Sequence, residues 1–115
     1  MSKRSIIEGV PSSHVRVFVE GDAGQPQELR FGTAFRIGRG ATCEVRVNSG
    51  HVSREHAEVT FEDGQWWVRD LGSTNGLFLN GAKVERAPLP AEAELQPGRN
   101  APTLRIRVEA GDASR

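Results

Sequence analysis

Apolar and polar positions alternate with a period of two along most of this chain. Val15, Val17 and Val19 are separated by Arg16 and Phe18, Phe35 and Ile37 flank Arg36, and Val45 and Val47 flank Arg46. Ala57, Val59 and Phe61 alternate with Glu58, Thr60 and Glu62, and Leu104, Ile106 and Val108 with Arg105 and Arg107. Successive side chains of an extended strand point to opposite faces, so each run predicts a strand with one face in a core and the other in water. The bulky run Trp66, Trp67 and Val68 predicts a further strand, and Leu77 to Leu79 begin another. No segment carries a helical face, and the helix formers of APLPAEAEL, 87 to 95, are interrupted by two prolines. Glu62-Asp63-Gly64 and Asn80-Gly81 are turn signals between strands. The pattern predicts an all-β chain, a two-sheet antiparallel β-sandwich with its loops gathered at the sandwich ends.

Size and charge narrow the range of functions. At 115 residues the chain is long enough for one compact core and too short for two ordinary domains. Fifteen basic and fifteen acidic residues cancel, so there is no broad positive field for nucleic acid or an anionic membrane, and any anion site must be local. No apolar run approaches the ~20 residues of a membrane span, and the N-terminus lacks a secretory apolar stretch, which predicts a cytoplasmic protein. The single cysteine, Cys43, cannot form an intrachain disulfide and has no zinc-ligand spacing around it, so no metal or other cofactor is expected. It is expected to be a small, partly buried strand residue, with Glu44 opposing any lowered thiol pKa. Residues 1 to 13 and 110 to 115 are polar and lack periodicity, which predicts flexible tails around a domain at 14 to 109. The whole has the look of a module belonging to something larger.

Three short motifs carry the candidate chemistry: FRIGR at 35 to 39, SREH at 53 to 56, and DLGSTNGLFLNG at 70 to 81. Each has an ordinary structural explanation. Arg39 after Gly38 would be a solvent-facing arginine in a turn, Ser53 a turn cap, His56 a core histidine with satisfied hydrogen bonds, and Asn75-Gly76 a hairpin. Together they place a guanidinium, a hydroxyl, a second cation at Arg54, another hydroxyl at Thr74 and an amide at Asn75 on loops between strands. That set can hold a phosphate and the peptide carrying it, since guanidinium donors match phosphate oxygens and an amide both donates and accepts. Enzyme readings are weaker. Ser53 and His56 are expected on opposite sides of a strand start with no orienting acid, and the chain lacks the GxxxxGK[ST] phosphate loop.

In this order and at this spacing the motifs resemble the forkhead-associated domain, a phosphothreonine-peptide recognition module, from about His14 to Glu109. The resemblance implies that Arg39, Ser53 and Arg54 face the phosphate and that Thr74 supplies a hydroxyl there or to nearby backbone. It implies that Asn75 hydrogen-bonds the peptide main chain, and that His56, with Gly38 and Gly76, supports the loops without touching ligand. His51 stands where similar domains select a peptide side chain a few residues after the phosphothreonine; an ordinary exposed loop histidine is the equal alternative. The usual Gly-Asp pair before the penultimate strands is replaced by Glu92-Ala93 or Pro97-Gly98, which leaves the register of 85 to 103 open.

The implied partner is a threonine-phosphorylated protein lying downstream of a Ser/Thr protein kinase. Threonines occur at 33, 42, 60, 74 and 103 and in neither tail, so the ligand is expected in trans or in a part of a longer chain. The rival is a phosphate-independent interaction or scaffold domain of the same fold, which would have no need of all five polar loop residues.

Overall fold

A computed structural model describes residues 13–20 and 26–110. The expected tails therefore lie outside the described residues except at their inner edges, where Ser13 opens the first strand and Ala110 closes the last. The strands are β1 (Ser13–Glu20), β2 (Pro26–Phe31), β3 (Phe35–Gly38), β4 (Val45–Arg46), β5 (Ala57–Glu62) and β6 (Gln65–Asp70), followed by β7 (Phe78–Leu79), β8 (Ala82–Lys83), β9 (Arg86–Pro88), β10 (Glu92–Gln96) and β11 (Leu104–Ala110). No helix occurs among the described residues. None is therefore long and apolar enough to cross a membrane.

The strands form two sheets, β2-β1-β11-β10-β7-β8 and β4-β3-β5-β6-β9. All pairs are antiparallel except β3 with β4, which run parallel with Ile37 opposite Val45. The parallel pair arises because the connecting loop doubles back, the Cys43 N–H donating to the Gly40 carbonyl at 3.2 Å. β1 and β11 pair along their length, with Ser13 opposite Ala110 and Phe18 opposite Arg105.

Alternation decides which face is buried. Val15 and Val17 of β1, Ile37 of β3, Val59 of β5, Val68 of β6 and Leu104 and Ile106 of β11 are buried in one core between the sheets. Larger rings fill the wider gaps. Phe31 stacks on Phe35 at 4.0 Å between centroids, and Phe61 meets Trp66 edge to face at 5.0 Å. Trp66 satisfies its one polar group by donating Nε1–H to the Ser13 hydroxyl at 2.8 Å. Asp63-Gly64 and Asn80-Gly81 both adopt positive φ at both residues, the left-handed pair of a tight hairpin turn, as their sequence predicts.

The region between 85 and 103 acquires a definite register. Ala93 faces Ile106 and Leu95 faces both Leu104 and Leu79, so the AEAEL segment is a central strand alternating buried Ala93 and Leu95 with exposed Glu92 and Glu94. Pro88 ends the edge strand β9, where a missing N–H leaves no ladder bond unmade. Cys43 departs from expectation. It is buried but sits in the β3–β4 loop outside any strand, its thiol donating to the Arg54 carbonyl at 3.1 Å. Burial, then the nearby Glu55, pushes its pKa up.

Candidate functional site

Two loops of the β3-β5 sheet are zipped together by their backbones. The Arg39 N–H donates to the Ser53 carbonyl (2.9 Å) and the Gly40 N–H to the Arg54 carbonyl (3.0 Å). Only glycine fits at 38, because a β-carbon there would collide with the Arg54 carbonyl and lie 2.9 Å from the Cys43 sulfur. The close approach sets the arginines of the two loops side by side. Arg39 donates Nε–H to the Val52 carbonyl at 3.0 Å, which orients its guanidinium and leaves its terminal nitrogens without a protein partner among the described residues. Arg46 donates Nε–H to the Arg39 carbonyl at 3.2 Å. Arg39, Arg46 and Arg54 line one open cleft together with Thr42 and Glu55.

His56 joins this pair of loops to the β6–β7 loop. The residue is fully buried, its Nδ1 accepts the Ser53 N–H at 3.0 Å, and its Nε2 lies 2.6 Å from the Gly76 carbonyl. Since Nδ1 accepts, the proton resides on Nε2 and is donated to Gly76. Its backbone is equally engaged, N–H to the Ile37 carbonyl (2.9 Å) and carbonyl from the Leu71 N–H (3.0 Å). The arrangement opposes a nucleophilic serine: the lone pair of His56 is taken by the backbone amide of Ser53, not by its hydroxyl.

Within the β6–β7 loop, Asp70 accepts the Ser73 N–H (3.1 Å) and the Ser73 hydroxyl accepts the Gly76 N–H (3.0 Å), a compact turn closed by Gly76 at φ 85°. Asn75 is not in the left-handed region, so Asn75-Gly76 is no hairpin turn despite its sequence. The turn delivers Thr74 and Asn75 to the surface beside the first two loops. The Thr74 N–H donates to the Ser53 hydroxyl at 3.2 Å, and the Asn75 Nδ2 to the His51 carbonyl at 2.8 Å. Arg39, Ser53, Arg54, Thr74 and Asn75 are thus brought to one surface, with Gly38, His56 and Gly76 behind it. Ser53 keeps its hydroxyl proton and Asn75 its carbonyl oxygen for further bonds.

A family model described as FHA domain, the forkhead-associated domain, matches residues 35–99, more than half of the chain. The chain belongs to the FHA domain family. Over 70 residues it is 36% identical to the FHA domain-containing protein FhaB of Mycobacterium tuberculosis (strain CDC 1551 / Oshkosh), a match covering 60% of this chain and 45% of FhaB. The matched stretch thus spans about half the length of that relative. Among solved structures, one described as a structural and functional analysis of phosphothreonine-dependent FHA domain interactions is 27% identical with a TM-score of 0.66, covering 86% of this chain and 98% of the other. The FhaA FHA domain complexed with the intracellular domain of Rv3910 is 28% identical with a TM-score of 0.62, covering 85% of this chain and all of the other.

The FHA domain here carries cations at this surface that its motifs did not announce. Arg46 appears in sequence only as the exposed position between Val45 and Val47, and nothing local marks it as a neighbour of Arg39. A second cleft is lined by His51, Thr74, Asn75, Lys83 and Arg99. Of these, Arg99 comes from the β10–β11 loop, remote from every motif, and Lys83 from β8, just past the third motif. Elsewhere cations are mostly paired: Arg16 with Glu28 and Glu109, Arg36 with Glu55 and Glu58, Arg69 with Glu58, Arg86 with Glu62 and Arg107 with Glu92. Apart from Arg105 on β11, the cations with no carboxylate within 4.0 Å among the described residues are Arg39, Arg46, Arg54, Lys83 and Arg99. The neutral total charge conceals a local surplus of positive charge at the loops.

Proposed function

We propose that this domain binds phosphothreonine-bearing segments of partner proteins and so reads the output of a Ser/Thr protein kinase in cytoplasmic signalling or assembly. The observation that carries the reading is the convergence of Arg39, Arg46 and Arg54 on one cleft, where the one carboxylate, Glu55, pairs with Arg36 and with none of the three. Cations left unpaired beside each other repel, and an incoming dianion relieves that repulsion. A phosphothreonine brings about 1.5 to 2 negative charges and three acceptor oxygens at neutral pH, each able to accept charge-assisted bonds. In this reading Arg39 and Arg54 clamp the phosphate, Ser53 donates its hydroxyl, and Thr74 adds a hydroxyl at the rim. Arg46 adds long-range attraction, and Asn75 bonds the peptide main chain through its free carbonyl oxygen.

The reading is one of binding, not catalysis. Positioned donors are plentiful here, while the one buried imidazole is committed on both nitrogens. The domain at 14 to 109 would act as a module within a larger protein, taking its ligand in trans, as the FhaA domain is seen with the intracellular domain of a separate protein.

Calorimetric titration with a degenerate threonine-centred peptide pool in phosphothreonine, phosphoserine and unmodified forms tests this, with Arg39→Ala as control. Binding confined to the phosphothreonine pool and lost in the variant is the expected result. Absence of binding in every form, from folded protein, would instead favour a phosphate-independent scaffold that uses a sheet face.

A further inference from the structure

We propose that Lys83 and Arg99 form a second anion subsite, so that the preferred ligand is a peptide carrying a further acidic group on the same chain as its phosphothreonine. The inference rests on the phosphothreonine reading above and adds the chemical class of peptide that the surface selects.

Three independent observations support it. Both cations line the cleft that Thr74 and Asn75 also line, and neither has a carboxylate partner among the described residues. Two like charges in one concave space with nothing to neutralise them are an arrangement an anion relieves.

Each cation also rests against a neighbour from the third motif. The Arg99 guanidinium lies over the Phe78 ring, 5.0 Å from its centroid, which limits its freedom. The Lys83 stem passes against Gly76, where an added β-carbon would stand 3.3 Å from Cε. Gly76 in turn is fixed by His56.

The loop bearing Arg99 is built onto the phosphate site. Gln96 donates its side-chain amide to the Arg99 carbonyl at 2.8 Å and the Ala101 carbonyl at 2.9 Å, folding residues 97 to 101 into a tight cap. Gly98 has φ 107°, and a β-carbon there would lie 2.7 Å from the His51 carbonyl oxygen, the same oxygen that accepts from Asn75. The β10–β11 loop therefore docks on the loop that carries Ser53, and its arginine keeps a fixed relation to the phosphate cleft. A peptide lying across Asn75 runs from one cationic cleft toward the other.

The test uses synthetic peptides with one central phosphothreonine and otherwise alanine flanks. In one series a glutamate, and in another a second phosphothreonine, is walked through the positions on either side. With surface cations contributing modestly per pair, a favourable position should tighten binding about five- to tenfold over the alanine-flanked peptide. In a Lys83→Gln/Arg99→Gln variant, shown folded by its thermal transition, that ratio should fall to about one. Should the double variant not fold, each single substitution should lower the ratio in part. Enhancement by both series shows that the subsite reads charge, and enhancement by the second phosphate alone shows that it reads a dianion; both support the proposal. A flat profile at every position, or a preference unchanged in the variants, overturns it. If the alanine-flanked phosphopeptide itself does not bind, the phosphothreonine reading fails, and this inference falls with it.

Discussion

Gly38 and the Arg54 carbonyl leave no space between them: a β-carbon at 38 would stand 2.8 Å from the Arg54 carbonyl carbon and closer still to its oxygen. This contact sets the spacing of the two loops that carry Arg39 and Arg54. Gly38→Ala should therefore destabilise the fold by roughly 1 to 3 kcal/mol, as overpacking of a filled site does. It should also weaken phosphopeptide binding beyond what stability explains. Urea unfolding and calorimetry on the same variant separate the two effects.

Arginines of one cleft differ in their roles. Arg39→Ala removes an oriented fork and should lower phosphopeptide affinity about tenfold or more, the equivalent of one charge-assisted bond. Arg46, held through Nε to the Arg39 carbonyl, contributes through space, so Arg46→Ala should lose less and flatten the salt dependence of binding. Glu55 pairs with Arg36 at 3.4 Å on an exposed face, and Glu55→Ala should change affinity by less than about threefold. Titrations at two salt concentrations rank all three.

His56→Ala should cost on the order of 3 kcal/mol in stability, because it opens a cavity and leaves the Ser53 N–H and the Gly76 carbonyl unpaired. Ser53→Ala, which removes only the hydroxyl, should unfold close to the parent yet bind phosphopeptide poorly. Denaturant midpoints of the two variants check this contrast.

His51 braces the site with its backbone carbonyl while its side chain lines the second cleft. His51→Ala should therefore alter which side chain is preferred a few residues after the phosphothreonine while leaving the requirement for phosphate intact, as measured by titration with matched peptides. Peptide preferences unaltered by the substitution would assign the His51 side chain no part in selection.

Acid should loosen the outer face of the β1 sheet. Hydrogen bonds from Arg16 and then Arg30 hold the Glu28 carboxyl down to about 2, from an ordinary 4.5. Arg16 likewise lowers Glu109. Depressed carboxyls stabilise the fold above their unfolded-state value, and that contribution is lost as pH falls from about 4.5 toward 2. Thermal transitions should decline across that window, less steeply in Glu28→Gln and less steeply in high salt.

Period-two alternation made β1, β3, β5 and β11 visible in the sequence, because each has one face in the core and one in water. β2 was not, since its run PQELRF gives only Leu29 and Phe31 on the inner side, and both are only partly buried. β10 was obscured by alanine and glutamate, which favour helices. Its place between β7 and β11 overrides that preference by burying Ala93 and Leu95. The motif residues were legible because local backbone geometry demands them: Gly38 at a close approach, Gly76 at positive φ. Arg46, Lys83 and Arg99 were not, because only the pairing of strands and the docking of the β10–β11 loop on His51 place them near the motifs.

The pairing of Ser13 with Ala110 has a further meaning for how the domain works when joined to others. β11 leaves the binding loops at Leu104 and reaches Ala110 six residues on, about 20 Å away. Both attachment points thus stand together at the rear of the domain, like a handle opposite a blade.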